Sequence, residues 1–321
     1  MVRYVGVDLG ATNVRAVVAD GTAAVLGRAS RGTPRGPTGV AVTEAVLATV
    51  REACAAAGTD PADVAAGAVG SVGPLDLAGG TVDGPANLPD AVDRVPLTGP
   101  LGNLLDADVR LHNDAVAGVI GERFFSDRTP DDMVYLTVSS GIGAGVAIDG
   151  HVLSGWDGNA GEVGHMVVDP SGRMRCGCGR AGHWEAYCSG DNLPSYAAEL
   201  HDGESTALAV GDPDLTAADI YALAGEDGFA DRVLDAVARW NAIGVTNLVQ
   251  AFAPLVVYVG GAVALNNPKA VLDPVRERLP DLAFANVPDL RLTTLGDDAV
   301  VLGALASAMT DGTGDRARLR P

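Results

Sequence analysis

Residues 162–185 combine two cysteines and two histidines with the carboxylates of Glu162 and Glu185. Thiolate and imidazole are the ligands that tetrahedral Zn²⁺ favours. Four such side chains occur in this segment: His165, Cys176, Cys178 and His183. Four protein ligands leave no open coordination position, so the pattern predicts a structural zinc site and not a catalytic one. Glu162 and Glu185 flank these ligands, so a metal here would hold two carboxylates in one place, as expected for a site that binds a polar small molecule.

The same residues admit an interpretation without metal. The Cys-x-Cys spacing is tighter than the gap of about two to four residues in most zinc hairpins. Two inert buried cysteines and two surface histidines would give the same composition. However, the chain has only five His and four Cys in 321 residues, and four of these nine lie between His165 and His183. This clustering favours the metal site.

Two turns rich in glycine and hydroxyl residues adjoin predicted strands. Their candidate residues are Asp8, Gly10 and Thr12 in the first turn and Ser140, Gly141 and Gly143 in the second. Backbone N–H groups in such turns can approach phosphate oxygens closely because glycine has no Cβ. Asp8 is also suited to hold Mg²⁺ through a water molecule. The turns therefore predict phosphate binding, whereas a P-loop is excluded because the chain contains no GxxxxGK[ST] sequence.

Three further positions admit two interpretations each. Asn113-Asp114 opens a predicted helix, so Asp114 is either a helix N-cap or a carboxylate that acts as a general base. Gly260-Gly261 follows an apolar strand and is either a tight turn or a surface on which an adenine ring lies. Asn87 is either a turn residue or a hydrogen-bond partner for a sugar hydroxyl. The residues alone leave these alternatives open.

The predicted elements repeat along the chain. The first turn and the second are each flanked by two strands, and each pair of strands ends in Asp-Gly, at Asp20-Gly21 and Asp149-Gly150. An internal duplication of this kind predicts two similar α/β domains that face each other across a cleft. We expect these boundaries: an N-terminal domain at 1–115, a C-terminal domain with the zinc loop at 116–299, a closing helix at about 300–310 that packs back on the first domain, and a flexible tail at 311–321.

The charge of the chain is strongly negative. Acidic residues outnumber basic ones 41 to 22, for a net charge of −19, and Lys269 is the only lysine. Such a charge repels nucleic-acid phosphates and anionic lipids, so we expect neither a nucleic acid nor a membrane as partner. Acidity spread along the chain, with almost no lysine, indicates adaptation to molar intracellular salt, where charge repulsion is screened. A GC-rich genome would also replace lysine by arginine without any such adaptation.

Cysteine usage and hydropathy indicate a cytoplasmic protein. Four cysteines, two of them in the cluster, are too few for a disulfide framework and fit a reducing compartment. Residues 1–10 predict a strand and a turn and not a signal peptide. No uncharged apolar stretch reaches the roughly 18 residues that a membrane helix needs.

Together these motifs resemble the ROK (repressor, open reading frame, kinase) family of sugar kinases, within the actin-like ATPase superfamily. The resemblance covers nearly the whole chain, and residues 176–185 are its most specific part. The family pattern has a third cysteine where this chain has His183; imidazole substitutes for thiolate on zinc, so we expect the site to persist. The resemblance implies two duplicated actin-like (RNase H-like) α/β domains, with ATP, Mg²⁺ and structural Zn²⁺ as cofactors.

The resemblance also implies a role for each candidate residue. Asp114 would accept the proton of the sugar's 6-hydroxyl as that oxygen attacks the γ-phosphate of ATP. The ring hydroxyls would be held by Asn87, Asn113, Glu162, His165 and Glu185. The nucleotide would be bound by the two turns and the glycine pair, that is by Asp8, Gly10, Thr12, Ser140, Gly141, Gly143, Gly260 and Gly261. A homodimer or higher homo-oligomer is the family expectation.

Glucose is the expected sugar, and glucose 6-phosphate the product. N-acetylmannosamine, N-acetylglucosamine and fructose remain alternatives, because the contacts around the C2 substituent of the sugar cannot be assigned from one sequence. A sugar-responsive transcription regulator is disfavoured. The first phosphate-type strand begins at residue 4, which leaves no room for a preceding helix-turn-helix, and the charge is wrong for DNA.

Overall fold

The computed structural model describes residues 2–85, 88–89, 92–284 and 286–319. The strands are β1 (Arg3–Leu9), β2 (Asn13–Asp20), β3 (Val25–Gly32), β4 (Ala66–Ser71), β5 (Leu75–Asp76), β6 (Thr81–Asp83), β7 (Arg94–Pro96), β8 (Val109–Asn113), β9 (Met133–Val138), β10 (Ile142–Ile148), β11 (His151–Val152), β12 (Val256–Gly260) and β13 (Asp289–Leu292). The helices are α1 (Gly39–Ala56), α2 (Thr98–Leu105), α3 (Asp114–Phe125), α4 (Glu185–Cys188), α5 (Leu193–Leu200), α6 (Ala217–Ala222), α7 (Gly228–Phe252), α8 (Ala262–Asn266), α9 (Pro268–Leu282) and α10 (Ala299–Thr310).

The first sheet has the strand order β3-β2-β1-β4-β8. β1, β2 and β3 pair as antiparallel hairpins, whereas β4 runs parallel to β1, and β8 runs parallel to β4. Asp20-Gly21 at the end of β2 forms the predicted turn. The side chain of Asp20 accepts hydrogen bonds from the N–H groups of Thr22 and Ala24. The parallel strands need longer connections, which contain α1 and α2.

Helices cover both faces of this sheet, so β1 is buried along almost its whole length. Val5 and Val7 belong to a core shared with α1, and Tyr4 belongs to a core shared with α3 and α10. Glycine permits close approach on both faces. A Cβ at Gly6 would lie 2.5 Å from the backbone N of Leu305 in α10, and one at Gly27 would lie 2.3 Å from the carbonyl O of Ala53 in α1.

The second sheet repeats this arrangement, with the order β11-β10-β9-β12-β13. β10 and β11 form an antiparallel hairpin, and β12 runs parallel to both β9 and β13. Hairpin strands followed by parallel strands thus occur twice, in the same order. The duplicated α/β fold predicted from the sequence is confirmed.

The chain divides into two compact units. The first comprises Met1–Asp131, Gly145–Gly161 and Asp298–Pro321, and the second comprises Asp132–Ala144 and Glu162–Asp297. The first unit therefore includes all of α3, beyond the expected boundary at residue 115. It also includes α10, which packs on β1 and α3.

The C-terminal segment contacts α3, and the flexible tail predicted from the sequence stays a prediction. Residues 316–318 form a 3-10 turn, and the guanidinium of Arg316 donates to the carbonyl O of Phe124 in α3. Arg123 of α3 donates in turn to the carbonyl O of Thr313 at 3.2 Å. The described part of this segment, residues 311–319, is thereby attached to the first unit.

The first unit also contains a small antiparallel sheet of β5, β6 and β7. These strands have two or three residues each, too few to give a periodic pattern in the sequence. No helix within the described ranges combines the length and apolar character required to cross a membrane.

Candidate functional site

Four side chains of the second unit converge as the sequence predicts. One ligand atom from each of them lies within 4.8 Å of every other, in the set His165, Cys176, Cys178 and His183. Nδ1 of His165 lies 3.6 Å from Sγ of Cys176, and Nδ1 of His183 lies 3.3 Å from Sγ of Cys178. Zn–S and Zn–N bonds of normal length at a tetrahedral angle separate S from N by about 3.5 Å. The four residues therefore fit a tetrahedral metal ion.

A compact loop brings these residues together. His165 ends a 3-10 turn, and a backbone bridge between Val167 and His183 closes the loop that follows. The two cysteines lie in a tight hairpin in which the N–H of Cys176 donates to the carbonyl O of Arg180 at 2.8 Å. Gly182 has a φ of +76°, and a Cβ there would lie 2.1 Å from the carbonyl O of Asp169, so the loop requires glycine at this position.

Protonation in this cluster suits metal binding. Burial lowers the pKa of His183, with the neighbouring His165 adding to the effect, so the neutral imidazole that ligates metals is favoured. Burial also raises the pKa of the Cys176 thiol to about 12. A thiolate at this buried position therefore requires a cation beside it, and a metal ion provides one.

Two carboxylates adjoin the cluster. Oε2 of Glu162 lies 3.8 Å from Nε2 of His165, and both side chains are partly exposed. Oε1 of Glu185 lies 3.5 Å from Sγ of Cys176, and Oε2 accepts a hydrogen bond of 2.9 Å from the backbone N–H of Ile142. The metal-binding loop thus positions both acidic groups, which can accept hydrogen bonds from the hydroxyls of a polar ligand.

Asp114 is the first residue of α3, at the carboxyl end of β8 in the first unit. The N-cap of this helix is Asn113, whose side chain accepts a hydrogen bond of 2.9 Å from Ala115 N–H. Oδ1 of Asp114 accepts from the same N–H at 2.7 Å. Asn113, and not Asp114, is therefore the N-cap of α3. Of the two interpretations of Asp114, the general base stays a prediction. A carboxylate at the end of a parallel strand is also a common position for a catalytic group in α/β sheets.

The first glycine turn connects β1 to β2. The N–H of Gly10 donates to the carbonyl O of Asn13 at 3.0 Å, and the hydroxyl of Thr33 donates to the carbonyl O of Gly10 at 2.7 Å. Asp8 precedes this turn and is buried. Arg15 of β2, its partner across the hairpin, contacts Oδ2 of Asp8 through Nε at 3.0 Å and Nη2 at 2.7 Å. Burial raises the pKa of Asp8 to about 6, against the opposing effect of Arg15.

The second glycine turn is shorter than the sequence predicts. It spans Ser139–Gly141, and the N–H of Ser139 donates to the carbonyl O of Gly141 at 2.9 Å. Gly143 lies inside β10 and not in the turn, because the strand already begins at Ile142. Glycine occurs on both sides of this boundary, at Gly141 in the turn and at Gly143 and Gly145 in the strand, so glycine content alone does not show where the strand begins.

Gly260 and Gly261 are required by packing against β9. A Cβ at Gly260 would lie 2.2 Å from the hydroxyl of Tyr135. Gly261 has a φ of +87°, and a Cβ there would lie 2.5 Å from the carbonyl O of Val138. The glycine pair ends β12 and precedes α8 in the second unit. The two glycines therefore form the tight turn between β12 and α8. Adenine binding by this turn stays a prediction.

The predicted site residues fall into two sets. The first unit carries Asp8, Gly10, Thr12, Asn113 and Asp114, and the second carries Ser140, Gly141, Gly143, Glu162, His165, Cys176, Cys178, His183, Glu185, Gly260 and Gly261. Asn87 lies outside the described residues. The sequence interpretation missed Arg15 and the N–H of Ile142. Arg15 could have been found, because the predicted hairpin places it opposite Asp8; Ile142 could not, because it is 43 residues from Glu185.

A family model named ROK matches residues 4–311 of the chain. The chain belongs to the ROK family. It is 37% identical over 313 residues to a glucokinase of Pyrobaculum calidifontis, and the match covers 96% of this chain and 95% of that protein. The family resemblance of the motifs is thereby confirmed, and the chain is a sugar kinase with the two-domain actin-like fold.

Solved structures agree with this assignment. A ROK hexokinase from Thermus thermophilus is 34% identical, with a TM-score of 0.79 over 95% of this chain and 97% of that one. A ROK family glucokinase from Streptomyces griseus, solved in complex with glucose and AMPPNP, is 30% identical, with a TM-score of 0.74 over 95% of this chain and 99% of that one.

Proposed function

We propose that the protein phosphorylates glucose at its 6-hydroxyl, with ATP as phosphoryl donor. The observation that carries the proposal is the nearly full-length similarity to a glucokinase, at 37% identity over 96% of the chain. The Streptomyces griseus relative binds glucose and an ATP analogue in its crystal structure. The residues with suitable chemistry for such a reaction are present in both units.

Asp114 is the proposed general base. The 6-hydroxyl oxygen attacks the γ-phosphorus of ATP, its proton passes to the Asp114 carboxylate, and the bond to the leaving ADP breaks. The position of Asp114 at the start of α3 and the capping of that helix by Asn113 support this role. Phosphoryl transfer needs little covalent assistance from the protein, so positioning and charge neutralisation account for most of the catalysis.

We propose that acidic, amide and imidazole side chains bind the hydroxyls of the sugar. Glu162, His165 and Glu185 meet at the metal-binding loop, and their acceptor atoms suit a hydroxylated ring. Asn113 and Asn87 are proposed to complete the set. Specificity for glucose over N-acetylmannosamine, N-acetylglucosamine or fructose would depend on the space and the donors around C2 of the sugar.

The nucleotide is proposed to bind at the glycine turns with Mg²⁺. Both contacts of Arg15 go to Oδ2 of Asp8, so within the described chain Oδ1 is the oxygen available to a water of Mg²⁺. Carboxylate and water oxygens are the ligands Mg²⁺ prefers. When bound, this ion neutralises charge on the transferring phosphate. Gly10, Thr12, Ser140 and Gly141 would contribute the turn backbone, and Gly260 and Gly261 would lie beside the adenine.

Zn²⁺ is the proposed ion of the His165, Cys176, Cys178 and His183 cluster. Two thiolates and two imidazoles are a closed donor set for this metal, and the S···N separations fit it. The ion would stabilise the loop that holds Glu162 and Glu185 and would take no part in the chemistry. A homodimer or higher homo-oligomer is the proposed assembly, on the family expectation alone. The cytoplasm is the proposed location, on the low cysteine content.

The test is turnover of a sugar panel in about 2–3 M KCl, a concentration that screens charge repulsion. ADP release would be measured with glucose, fructose, mannose, N-acetylglucosamine and N-acetylmannosamine. We expect glucose to have the highest kcat/KM. Preferential turnover of an amino sugar would reassign the substrate, and no turnover of glucose by a folded, metal-loaded protein would contradict the proposed function.

A further inference from the structure

Glu185 is the side chain that joins the metal-binding loop to the second glycine turn. Its Oε1 lies 3.5 Å from Sγ of Cys176, and its Oε2 accepts the 2.9 Å hydrogen bond from the N–H of Ile142. Ile142 directly follows Gly141, so this N–H belongs to the turn proposed to bind nucleotide phosphates. A single carboxylate therefore contacts both the metal-binding loop and the second glycine turn.

Backbone hydrogen bonds attach the same turn to the segment that follows α4. The N–H of Gly190 donates to the carbonyl O of Ser139 at 2.7 Å, and the N–H of Asp191 donates to the carbonyl O of Ser140 at 3.3 Å. These backbone bonds hold the turn near α4. The bond from Ile142 is different, because its acceptor is a side chain that a sugar hydroxyl can also contact.

We infer that Glu185 is a positioning residue for the phosphate turn and couples sugar binding to nucleotide binding. The inference rests on the proposed function, in which Glu185 holds a sugar hydroxyl. A nucleotide that orders the turn keeps the N–H of Ile142 directed at Oε2 and so fixes the carboxylate before the sugar binds. A sugar that fixes the carboxylate orders the turn in the same way. Because linkage is reciprocal, each ligand tightens the other by the same factor, about fivefold or more.

Glu162 provides a matched comparison. It is also proposed to hold the sugar, and its Oε2 lies 3.8 Å from Nε2 of His165. Its carboxylate contacts His165, whereas the N–H of Ile142 donates to Glu185. Loss of this carboxylate should therefore weaken sugar binding without affecting the phosphate turn.

Gly141 offers a steric probe of the Glu185 carboxylate. A Cβ at this position would lie 2.8 Å from Oε2 and 3.6 Å from Cδ of Glu185. Apart from its chain neighbours, no other described atom lies within 4 Å of that Cβ. The Gly141→Ala substitution should therefore displace the carboxylate from Ile142 and leave the four metal ligands unchanged. Gly228→Ala is the matched control, because a Cβ at the start of α7 meets nothing within 4 Å.

The first experiment measures glucose affinity by calorimetry on zinc-loaded protein, without nucleotide and with saturating Mg-AMPPNP. We expect AMPPNP to tighten glucose binding to the wild type about fivefold or more. Gly141→Ala should weaken glucose binding about fivefold even without nucleotide, reduce the effect of AMPPNP to less than about twofold, and retain zinc. Wild-type glucose affinity in this variant, or no effect of AMPPNP on the wild type, would contradict the inference.

The second experiment measures AMPPNP affinity without sugar in two carboxylate variants. Glu185→Gln should weaken AMPPNP binding about fivefold, because a neutral acceptor holds the N–H of Ile142 less strongly. Glu162→Gln should leave it within about twofold of the wild type while still weakening glucose binding. Equal AMPPNP affinities in the two variants would overturn the coupling. Failure of the wild type to phosphorylate any sugar would instead refute the proposed function.

Discussion

Arg15 and Asp8 form an ion pair across the first hairpin, with Nη2 of Arg15 2.7 Å from Oδ2 of Asp8. Asp8 is buried, whereas the Arg15 side chain is one-third exposed. Arg15 also approaches Asp298, to which Arg28 donates at 2.6 Å. The pair thus compensates a buried charge directly beside the turn proposed to bind phosphate, and its loss should affect stability.

Arg15→Gln is expected to lower the free energy of unfolding by about 1–3 kcal/mol, because it leaves the buried Asp8 carboxylate without its charged partner. The matched control is Arg28→Gln, which removes an exposed ion pair to Asp298 and should cost at most about 1 kcal/mol. Urea denaturation measures both. Equal decreases in the free energy of unfolding in the two variants would show that the Arg15–Asp8 pair stabilises the fold no more than an exposed ion pair does.

Zinc analysis should find close to one zinc per chain, and Cys178→Ser should lose most of it. We expect the variant to bind glucose at least about tenfold more weakly, because the loop that carries Glu162 and Glu185 loses its metal. Cys54→Ala is the control, since Cys54 is buried in α1 and far in sequence from the cluster. A zinc-free wild type with full activity would refute the metal site.

His112 should make stability depend on pH. Its Nε2 lies 2.7 Å from Oγ of Ser307, and burial lowers its pKa from 6.5 to about 4. Between these values the unfolded chain binds a proton that the folded chain does not. The free energy of unfolding should therefore fall as pH drops from 6.5 to about 4, by up to about 1.4 kcal/mol per pH unit.

Asp8 acts in the opposite direction and must be separated from His112. Its pKa is raised from 3.8 to about 6, so the folded chain binds the extra proton and stability is lost as pH rises through that range. Urea denaturation of the wild type and of His112→Gln should be compared from pH 4 to 7. Both proteins contain Asp8, so its contribution cancels in the difference between their free energies of unfolding. Parallel curves for the two proteins would mean that His112 does not titrate as described.

Adaptation to salt is a prediction from the net charge of −19 and the single lysine. Thermal unfolding in increasing KCl should show a rising midpoint as repulsion among the acidic residues is screened. Sucrose stabilises folded proteins without screening charge and serves as the control. A midpoint that does not rise with KCl would reject the adaptation.

The sequence predicted the repeated hairpins and the metal cluster because local patterns specify them. Asp20-Gly21 marks a turn whose hydrogen bonds are present, and the ligands of the cluster lie within one short loop. It did not predict α9, which contains Pro274 and Pro280, residues that usually end helices. The Glu185–Ile142 bond was equally unpredictable, because it joins residues brought together by tertiary packing alone.

The most direct test of the account compares formation of glucose 6-phosphate by the wild type and Asp114→Asn, with ATP and glucose saturating. Asparagine retains Oδ1, the acceptor for the N–H of Ala115, so the helix start should persist while the base is lost. We expect wild-type protein to form glucose 6-phosphate and the variant to turn over at least about 10²-fold more slowly, with glucose affinity nearly unchanged. Near-normal turnover by Asp114→Asn would contradict the assignment of the base, and absence of glucose 6-phosphate with the wild type would contradict the proposed function itself.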